Sequence, residues 1–274
     1  MKHLNCILVL IIFSIVPHIS FAQQNVKVFS EENPEGIALY ADNFEFCPVT
    51  VTINFQLKNI KMEGKESASF LIKENSTKVL LATFTIIDKY KTSKFSYTYS
   101  ASLGDNNQIS YDTDFNYYLP FEKGKAFAVH QGYNGKFSHQ NENSIDFTMP
   151  IGTPITAIRD GIVIRLVENN SKVCPKKECS QYNNYVIVYH PDGTFAEYTH
   201  LNKNGVLVNV GDKVSQGQII ASSGNTGFSS GPHLHLMIFL DKTKFRETIP
   251  TKFKIDDGTQ SNFLKEKEIY TRSY

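Results

Sequence analysis

A period-two alternation of apolar and polar residues constrains the fold of this 274-residue chain most strongly. The stretch VTVTINFQL at 49–57 carries an apolar residue at every second position, and KFSYTYSASL at 94–103 repeats the pattern. Side chains of a β-strand point alternately to opposite faces of the sheet, so this period is typical of half-buried antiparallel strands. With a further strand candidate at 79–87, the pattern predicts a small β-sandwich, which we assign to residues 23–116. No catalytic cluster falls within it, and we expect an accessory domain with a packing or positioning role.

The second half of the chain also lacks the period of a long amphipathic helix. Short strand-like runs occur at 186–190, 218–222 and 235–240, and residues typical of turns separate them. We therefore predict a second, mostly antiparallel β domain over residues 117–274. The predicted fold class is mostly β throughout.

The first 22 residues have the organisation of a secretory signal peptide. Lys2 gives a positive start, residues 4–16 are almost wholly apolar, and small residues precede a cleavage position after Ala22. That apolar stretch is short for a membrane anchor, and no later segment is long and apolar enough to span a bilayer. The sequence thus predicts an exported protein, periplasmic or secreted, without a stable membrane span.

The charge balance of the chain gives no support to a nucleic-acid partner. The sequence has 28 basic and 27 acidic residues, and removal of Lys2 with the signal peptide leaves 27 of each. A balanced chain of this kind has no strong electrostatic attraction to nucleic acid or to a charged surface.

Two cysteines, Cys174 and Cys179, bracket the segment CPKKEC. In an exported protein this spacing favours a small disulfide loop. A pair of soft metal ligands is the alternative, but the chain holds no second pair of that kind. Cys47 lies just before a strand candidate, and we expect it to be a buried thiol.

Histidines are concentrated in the second half of the chain. None occurs between residues 23 and 129, whereas six lie from His130 to His235. The pentapeptide GPHLH contains His233 and His235, which share one face of a strand because side chains alternate. Both imidazoles can reach one groove, as two metal ligands, as a ligand and a catalytic residue, or as ordinary strand residues. The pentapeptide alone leaves these alternatives open.

Donor atoms of the kind zinc accepts also occur upstream, where His139 precedes Asp146 and a Gly-Thr-Pro turn. With one more histidine they complete a three-ligand set that leaves a fourth position open for water, as in catalytic zinc sites. His200 ends the strand-like run GTFAEYTHL. It could supply an imidazole for proton transfer or oxyanion binding beside such a metal.

Taken in order, three segments resemble the lysostaphin/LytM-type zinc endopeptidases: SHQNENSIDFTMPIGTPI, VIVYHPDGTFAEYTHL and VNVGDKVSQGQIIASSGNTGFSSGPHLHLMIF. The resemblance covers about residues 137–239. It implies a compact antiparallel β peptidase domain with a metal-containing groove, and peptidoglycan peptides as substrates. Matched motif by motif, it makes His139, Asp146 and His235 the zinc ligands. It makes His200 and His233 the non-ligand catalytic histidines, which orient the attacking water and stabilise the oxyanion.

One spacing departs from the family pattern. The family commonly has three residues between the first histidine and the aspartate, and six residues separate His139 from Asp146 here. Counting back from Asp146 by the usual spacing reaches Glu142, an alternative oxygen donor. We prefer His139, because the SH dipeptide resembles a longer variant of the motif and a three-residue extension of a loop costs little.

The remaining candidates receive structural interpretations. We expect His190 to be structural and His130 to lie at the surface or at the rim of the groove. Tyr133 and Tyr198 could contact the substrate or could simply pack.

The sequence therefore predicts an exported zinc metalloendopeptidase that cleaves peptide bonds in bacterial peptidoglycan. The alternative is a non-catalytic or latent domain of the same fold that binds the cell wall or activates another hydrolase. A third interpretation is a metal-binding protein without hydrolytic activity. We expect loops from 130–145, 170–184 and 222–232 to line the groove, with the Cys174–Cys179 loop stiffening one wall.

Overall fold

The computed structural model describes residues 25–33, 36–64, 67–108 and 110–274. The predicted signal peptide therefore lies outside the described residues. The chain divides into two compact units, Met1–Leu103 and Gly104–Tyr274. Within the described ranges, no helix has both the length and the apolar character that a membrane crossing requires.

The first unit is built from strands alone in the part that the structure describes. They are β1 (Val26–Asn33), β2 (Gly36–Asn43), β3 (Val49–Lys58), β4 (Ile60–Met62), β5 (Ser69–Ile72), β6 (Ser76–Ile86) and β7 (Lys94–Leu103). One sheet has the order β1-β2-β6-β4 and the other the order β5-β3-β7.

The alternating stretches form the centre of this unit. Strands β3 and β7 pair antiparallel along ten residues, from Val49 opposite Leu103 to Lys58 opposite Lys94. Phe84 of β6 packs against Phe95 of β7, with ring centroids 4.9 Å apart, so the two sheets meet face to face. An aromatic pair of this kind adds about 1 kcal/mol beyond its area burial. The predicted β-sandwich is confirmed.

In its described residues the second unit is also nearly all β, with one short 3₁₀ helix, η1 (Lys177–Tyr182). Its strands are β8 (Ala126–Gln131), β9 (Ser144–Thr148), β10 (Pro154–Thr156), β11 (Gly161–Val167), β12 (Val173–Cys174), β13 (Tyr185–Tyr189), β14 (Phe195–Thr199), β15 (Leu201–Val206), β16 (Lys213–Val214), β17 (Ile219–Ser223), β18 (Gly227–Phe228), β19 (His233–Lys242), β20 (Phe245–Thr248), β21 (Phe253–Ile255), β22 (Gln260–Asn262) and β23 (Ile269–Thr271).

A nine-stranded sheet dominates this unit, with the order β16-β11-β13-β14-β19-β9-β8-β23 and β20 paired to β19. A smaller sheet has the order β10-β17-β15. The neighbouring strands of both sheets run antiparallel, as the sequence predicted. The predicted mostly β fold class is confirmed.

The register of three central strands positions the candidate site. His235 of β19 lies opposite Asp146 of β9 on one side and opposite Thr199 of β14 on the other. The alternate residues of β19, Leu234 and Leu236, are buried in the hydrophobic core. Because side chains alternate, this burial turns the histidines of β19 to the opposite face, where a groove lies.

Candidate metal centre and groove

The structure brings all five predicted site residues to one groove with a volume of about 850 Å³. They arrive from β9, β19, the loop before β9 and the turn between β14 and β15. They are His139, Asp146, His200, His233 and His235.

Three donor atoms converge in this groove, and we call His139, Asp146 and His235 the donor triad. Asp146 Oδ1 lies 3.3 Å from His139 Nε2 and 2.9 Å from His235 Nδ1. The two imidazole nitrogens lie 3.3 Å apart. A tetrahedral zinc ion with bonds of about 2.0–2.2 Å separates its ligand atoms by roughly 3.3–3.6 Å. Two of the three separations equal the lower end of this range, and the third, 2.9 Å, is a hydrogen-bond distance that would widen by about 0.4 Å around the metal. The residues present therefore fit a zinc ion in chemistry and closely in spacing.

Hydrogen bonds to the main chain and to a carboxylate orient the two imidazoles of the donor triad. His139 Nδ1 donates to the carbonyl oxygen of Gly132 at 3.1 Å, which leaves Nε2 with its lone pair toward Asp146. Burial alone would raise the pKa of Asp146, but the close imidazoles of His139 and His235 outweigh it and hold that pKa well below its usual range. Burial alone would lower the pKa of His235, and Asp146 instead raises it.

Gln131 organises the donor triad, a role that no sequence pattern indicated. Its Nε2 donates to Asp146 Oδ2 at 3.2 Å and to Ser138 Oγ at 2.8 Å. Its Oε1 accepts the backbone N–H groups of Phe137 and Ser138 at 3.0 and 3.1 Å. One buried amide thus holds both Asp146 and the segment that leads into His139.

Glu142 lies on the other side of the His235 ring. Its Oε1 is 3.5 Å from His235 Nε2, whereas Asp146 contacts Nδ1 of the same ring. His139, Glu142 and His235 also offer ligand atoms that all lie within 4.8 Å of one another. The donor triad is the tighter of the two groups. Its carboxylate is also the more buried, with side-chain exposure of 8% for Asp146 against 34% for Glu142.

The other two histidines form a pair beside the donor triad, and we call His200 and His233 the histidine pair. Their ring centroids are 4.5 Å apart. His200 has a φ of 66°, an uncommon backbone conformation for this residue type that clusters at functional sites. Its Nδ1 donates to the carbonyl oxygen of Thr226 at 2.7 Å. Burial, assisted by the neighbouring imidazoles, lowers the pKa of His200 to about 3.

His233 has a similar environment. Its Nδ1 donates to the carbonyl oxygen of Gly231 at 2.8 Å, with Ser229 Oγ at 3.2 Å. Its Nε2 lies 3.8 Å from Asp146 Oδ1, next to the donor triad. Burial lowers the pKa of His233 as well. Both members of the histidine pair are therefore neutral near pH 7, with Nε2 available as a proton acceptor.

Four other candidate residues lie outside the groove or only at its rim. His130 is exposed and lines the rim of the groove. His190 is fully buried, donates from Nδ1 to Asp160 O at 2.9 Å, and burial lowers its pKa to about 4. The hydroxyl of Tyr133 donates to Thr251 O at 2.9 Å, and that of Tyr198 accepts the N–H of Ile158 at 2.9 Å. Both tyrosines therefore serve packing.

The disulfide loop forms one wall of the groove. Cys174 and Cys179 are bonded, as the sequence predicted, and Cys47 is a buried thiol. Pro175 and Lys177 of this loop, and Ser180 directly after it, line the groove.

An open groove with a His–Asp–His donor triad and a neutral histidine pair is the kind of site found in zinc-dependent hydrolases. Residues 140–246 match peptidase family M23, so this segment is similar to the metallopeptidases of that family. The match begins one residue after His139. The family is zinc-dependent.

Curated relatives support this assignment. The chain is 30% identical over 217 residues to an uncharacterized metalloprotease of Buchnera aphidicola, which covers 74% of this chain and 54% of that protein. It is 35% identical over 131 residues to the peptidoglycan DD-endopeptidase ShyA of Vibrio cholerae, covering 46% of this chain and 28% of that protein. The chain thus spans about half, or less, of the length of these relatives.

Among solved structures, the catalytic domain of the antimicrobial peptidase lysostaphin from Staphylococcus simulans is 31% identical to this chain. The match covers 44% of this chain and 82% of that domain, with a TM-score of 0.33.

Proposed function

We propose that this protein is an exported zinc metalloendopeptidase that hydrolyses peptide bonds in bacterial peptidoglycan. The observation that carries the proposal is the position of the neutral histidine pair directly beside a donor triad with zinc-ligand spacing. Relatives named peptidoglycan DD-endopeptidase and glycyl-glycine endopeptidase support the substrate class.

We assign the metal to the donor triad, through His139 Nε2, Asp146 Oδ1 and His235 Nδ1. The hydrogen bond from His139 Nδ1 to the main chain supports the use of Nε2 for the metal. Glu142 then faces the remaining nitrogen of His235 and can accept its N–H, in the way that carboxylates commonly support metal-bound histidines. On this assignment Glu142 orients a ligand and is not itself one.

Zinc bound there would lower the pKa of a coordinated water to about 7 and polarise the scissile carbonyl. The histidine pair would do the proton chemistry. His233 Nε2 lies beside the donor triad and is neutral, so it can accept a proton from the attacking water. His200 stands next to it and, once either imidazole is protonated, the pair can donate to the developing oxyanion or to the leaving amine.

Export follows from the predicted signal peptide, and the disulfide fits an oxidising compartment outside the cytoplasm. Peptidoglycan lies in that compartment, so location and proposed substrate agree.

The experiment that tests the function uses residues 23–274, purified with zinc, and intact peptidoglycan. We expect new amine termini to appear, and to disappear in His233→Ala while bound zinc is retained. Zinc binding without cleavage of any peptidoglycan preparation would contradict the proposal and favour the cell-wall-binding or latent alternative. Absence of zinc binding would also contradict the proposed enzyme.

A further inference from the structure

The histidine pair is held by a short segment of the main chain, residues 226–231. Thr226 provides the carbonyl that accepts His200 Nδ1 at 2.7 Å. Ser229 Oγ lies 3.2 Å from His233 Nδ1 and accepts the N–H of Gly231, whose carbonyl also binds His233. Segment 226–231 therefore sets the ring orientation of both histidines. Movement of this segment would move both imidazoles.

This segment is in turn held by residues 172–183, which contain the Cys174–Cys179 disulfide loop. Its strand, β18, pairs in parallel with β12, the strand that ends at Cys174. The N–H of Gly227 donates to Lys172 O at 2.7 Å, and that of Ser229 donates to Cys174 O at 3.3 Å. The N–H between them, that of Phe228, donates to a side chain, Asn183 Oδ1, at 3.0 Å. Three consecutive N–H groups thus all find their acceptors within 172–183.

The contact between residues 172–183 and β18 is close. Gly227 has a φ of 74°, and a Cβ at this position would lie 1.8 Å from Asn183 Oδ1. The main chain of β18 therefore lies directly against the amide of Asn183. Two-residue strands make few pairing hydrogen bonds, so the geometry of β12 and β18 depends on constraints from outside the pair. The bond between Cys174 and Cys179 is such a constraint.

The donor triad takes its support from other segments. His139 is held by Gly132 O, and Asp146 is held by Gln131. The nitrogens of His235 face Asp146 and Glu142. These contacts come from β8, β9 and the loop between them, and none comes from 172–183.

We propose that the Cys174–Cys179 disulfide loop is a positioning element for His200 and His233, acting through Asn183 and β18. Opening the disulfide releases the histidine pair and leaves the metal ligands in place. The catalytic consequence rests on the proposed function, whereas the structural consequence does not.

The test compares the oxidised chain, the same chain reduced with a water-soluble phosphine, and the variant Cys174→Ser/Cys179→Ser. In the reduction the S–S bond breaks, two thiols form, and the phosphine becomes its oxide with oxygen taken from water. A phosphine is used because thiol reagents would compete for zinc. Glu178→Ala is the matched control, since it alters an exposed side chain of the same loop that does not line the groove.

We expect reduction or the double variant to lower kcat on peptidoglycan about 10- to 100-fold, because small displacements of catalytic groups carry costs of this size. KM should change by less than about twofold, and the zinc content should stay at that of the oxidised chain. Reoxidation should restore kcat in the natural chain, while the double variant should not respond to the phosphine. Unchanged kcat in both, or loss of zinc in step with activity, would overturn the proposal.

Asn183 offers a second variant that leaves the disulfide intact. Asn183→Ala removes the acceptor of the Phe228 N–H, and Asn183→Asp keeps an oxygen at that position. We expect kcat to fall in Asn183→Ala and to recover at least partly in Asn183→Asp, with zinc unchanged in both. Equal kcat in the natural chain and Asn183→Ala would contradict the role of Asn183.

A readout independent of activity is the NMR signal of the imidazole N–H groups. In the oxidised chain, His200 and His233 should show Nδ1–H protons protected by their carbonyl partners. In the double variant these two signals should broaden or exchange, while the Nδ1–H of His139 persists. If the oxidised chain cleaves no peptidoglycan, the proposed function fails, and these spectra still decide the positioning claim. Unchanged signals from the histidine pair would refute it.

Discussion

The donor triad and the histidine pair occupy one groove but depend on different parts of the chain. The donor triad follows from the register of β9 against β19 and from side-chain bonds, above all those of Gln131. The histidine pair instead binds main-chain carbonyls of a short segment, and this segment is hydrogen-bonded to the residues around a disulfide loop. Because their supports differ, metal binding and proton transfer can be disturbed separately in this molecule.

Removal of a metal ligand should have the largest effect. We expect His139→Ala and Asp146→Ala to lose zinc affinity by more than about 100-fold, because each removes a donor atom itself, and loss of a supporting residue alone costs 10- to 100-fold. Peptidoglycan cleavage should be lost with the metal. Zinc content after dialysis against a chelator measures the first effect and amine release measures the second.

Glu142→Gln is the matched control for this prediction, because it keeps the size of the side chain and removes its charge. It should keep a full complement of zinc under the same dialysis. If Glu142→Gln lost the metal and His139→Ala kept it, the assignment of ligands would be wrong.

Removal of either member of the histidine pair should have the next largest effect, and on catalysis alone. We expect His200→Ala and His233→Ala to lower kcat/KM by about 10²- to 10⁴-fold, the usual contribution of a general acid or base. Zinc content should equal that of the natural chain. Parallel measurement of zinc and amine release checks this, and a variant that lost its metal together with its activity would show that the two groups are not separable.

His190 tests whether a buried neutral histidine is by itself a sign of catalysis. Burial lowers its pKa from 6.5 to about 4, so the unfolded chain binds a proton that the folded chain does not. Its contribution to stability is therefore complete above pH 6.5 and is lost as the pH falls toward 4, up to about 3 kcal/mol. Urea unfolding of the natural chain and of His190→Asn between pH 7.5 and 4.5 measures the difference.

The same variant should keep its zinc and its cleavage rate at pH 7.5, because His190 is buried away from the residues that line the groove. An identical pH dependence of unfolding in both chains would contradict the role of His190 burial. A loss of cleavage with intact folding would place His190 in the catalytic machinery.

The smallest of these effects should come from Gln131→Ala, which removes the support of the donor triad and no donor atom. We expect zinc affinity to fall about 10- to 100-fold, as for loss of other groups that support a ligand. With saturating zinc, kcat should return close to that of the natural chain. A competition titration with a zinc-binding dye measures the affinity, and a kcat that stays low at saturation would count against separate support of the two groups.

Much of the fold could be predicted from the sequence, because alternation reports directly on which face of a strand is buried. The stretches 49–57 and 94–103 became β3 and β7, paired along their whole length. The shared face of His233 and His235 was predicted for the same reason. The structure adds that Leu234 between them is fully buried.

The supports of the site could not be predicted, because they are contacts between segments far apart in the chain. The contact of His200 with Thr226 uses a main-chain carbonyl, which every residue has, so the sequence does not mark it. Gln131 resembles any other polar residue at the end of a strand. The position of Glu142 on the second nitrogen of His235 depends on the path of a loop that is longer than the family pattern. The left-handed conformation of His200 likewise has no counterpart in the local sequence.

Zinc anomalous scattering from crystals of the zinc-loaded protein would show which atoms bind the metal. We expect one anomalous peak about 2.0–2.2 Å from His139 Nε2, Asp146 Oδ1 and His235 Nδ1, with His200 and His233 beyond bonding distance. A peak bonded to Glu142 and to His235 Nε2, or to either member of the histidine pair, would contradict it.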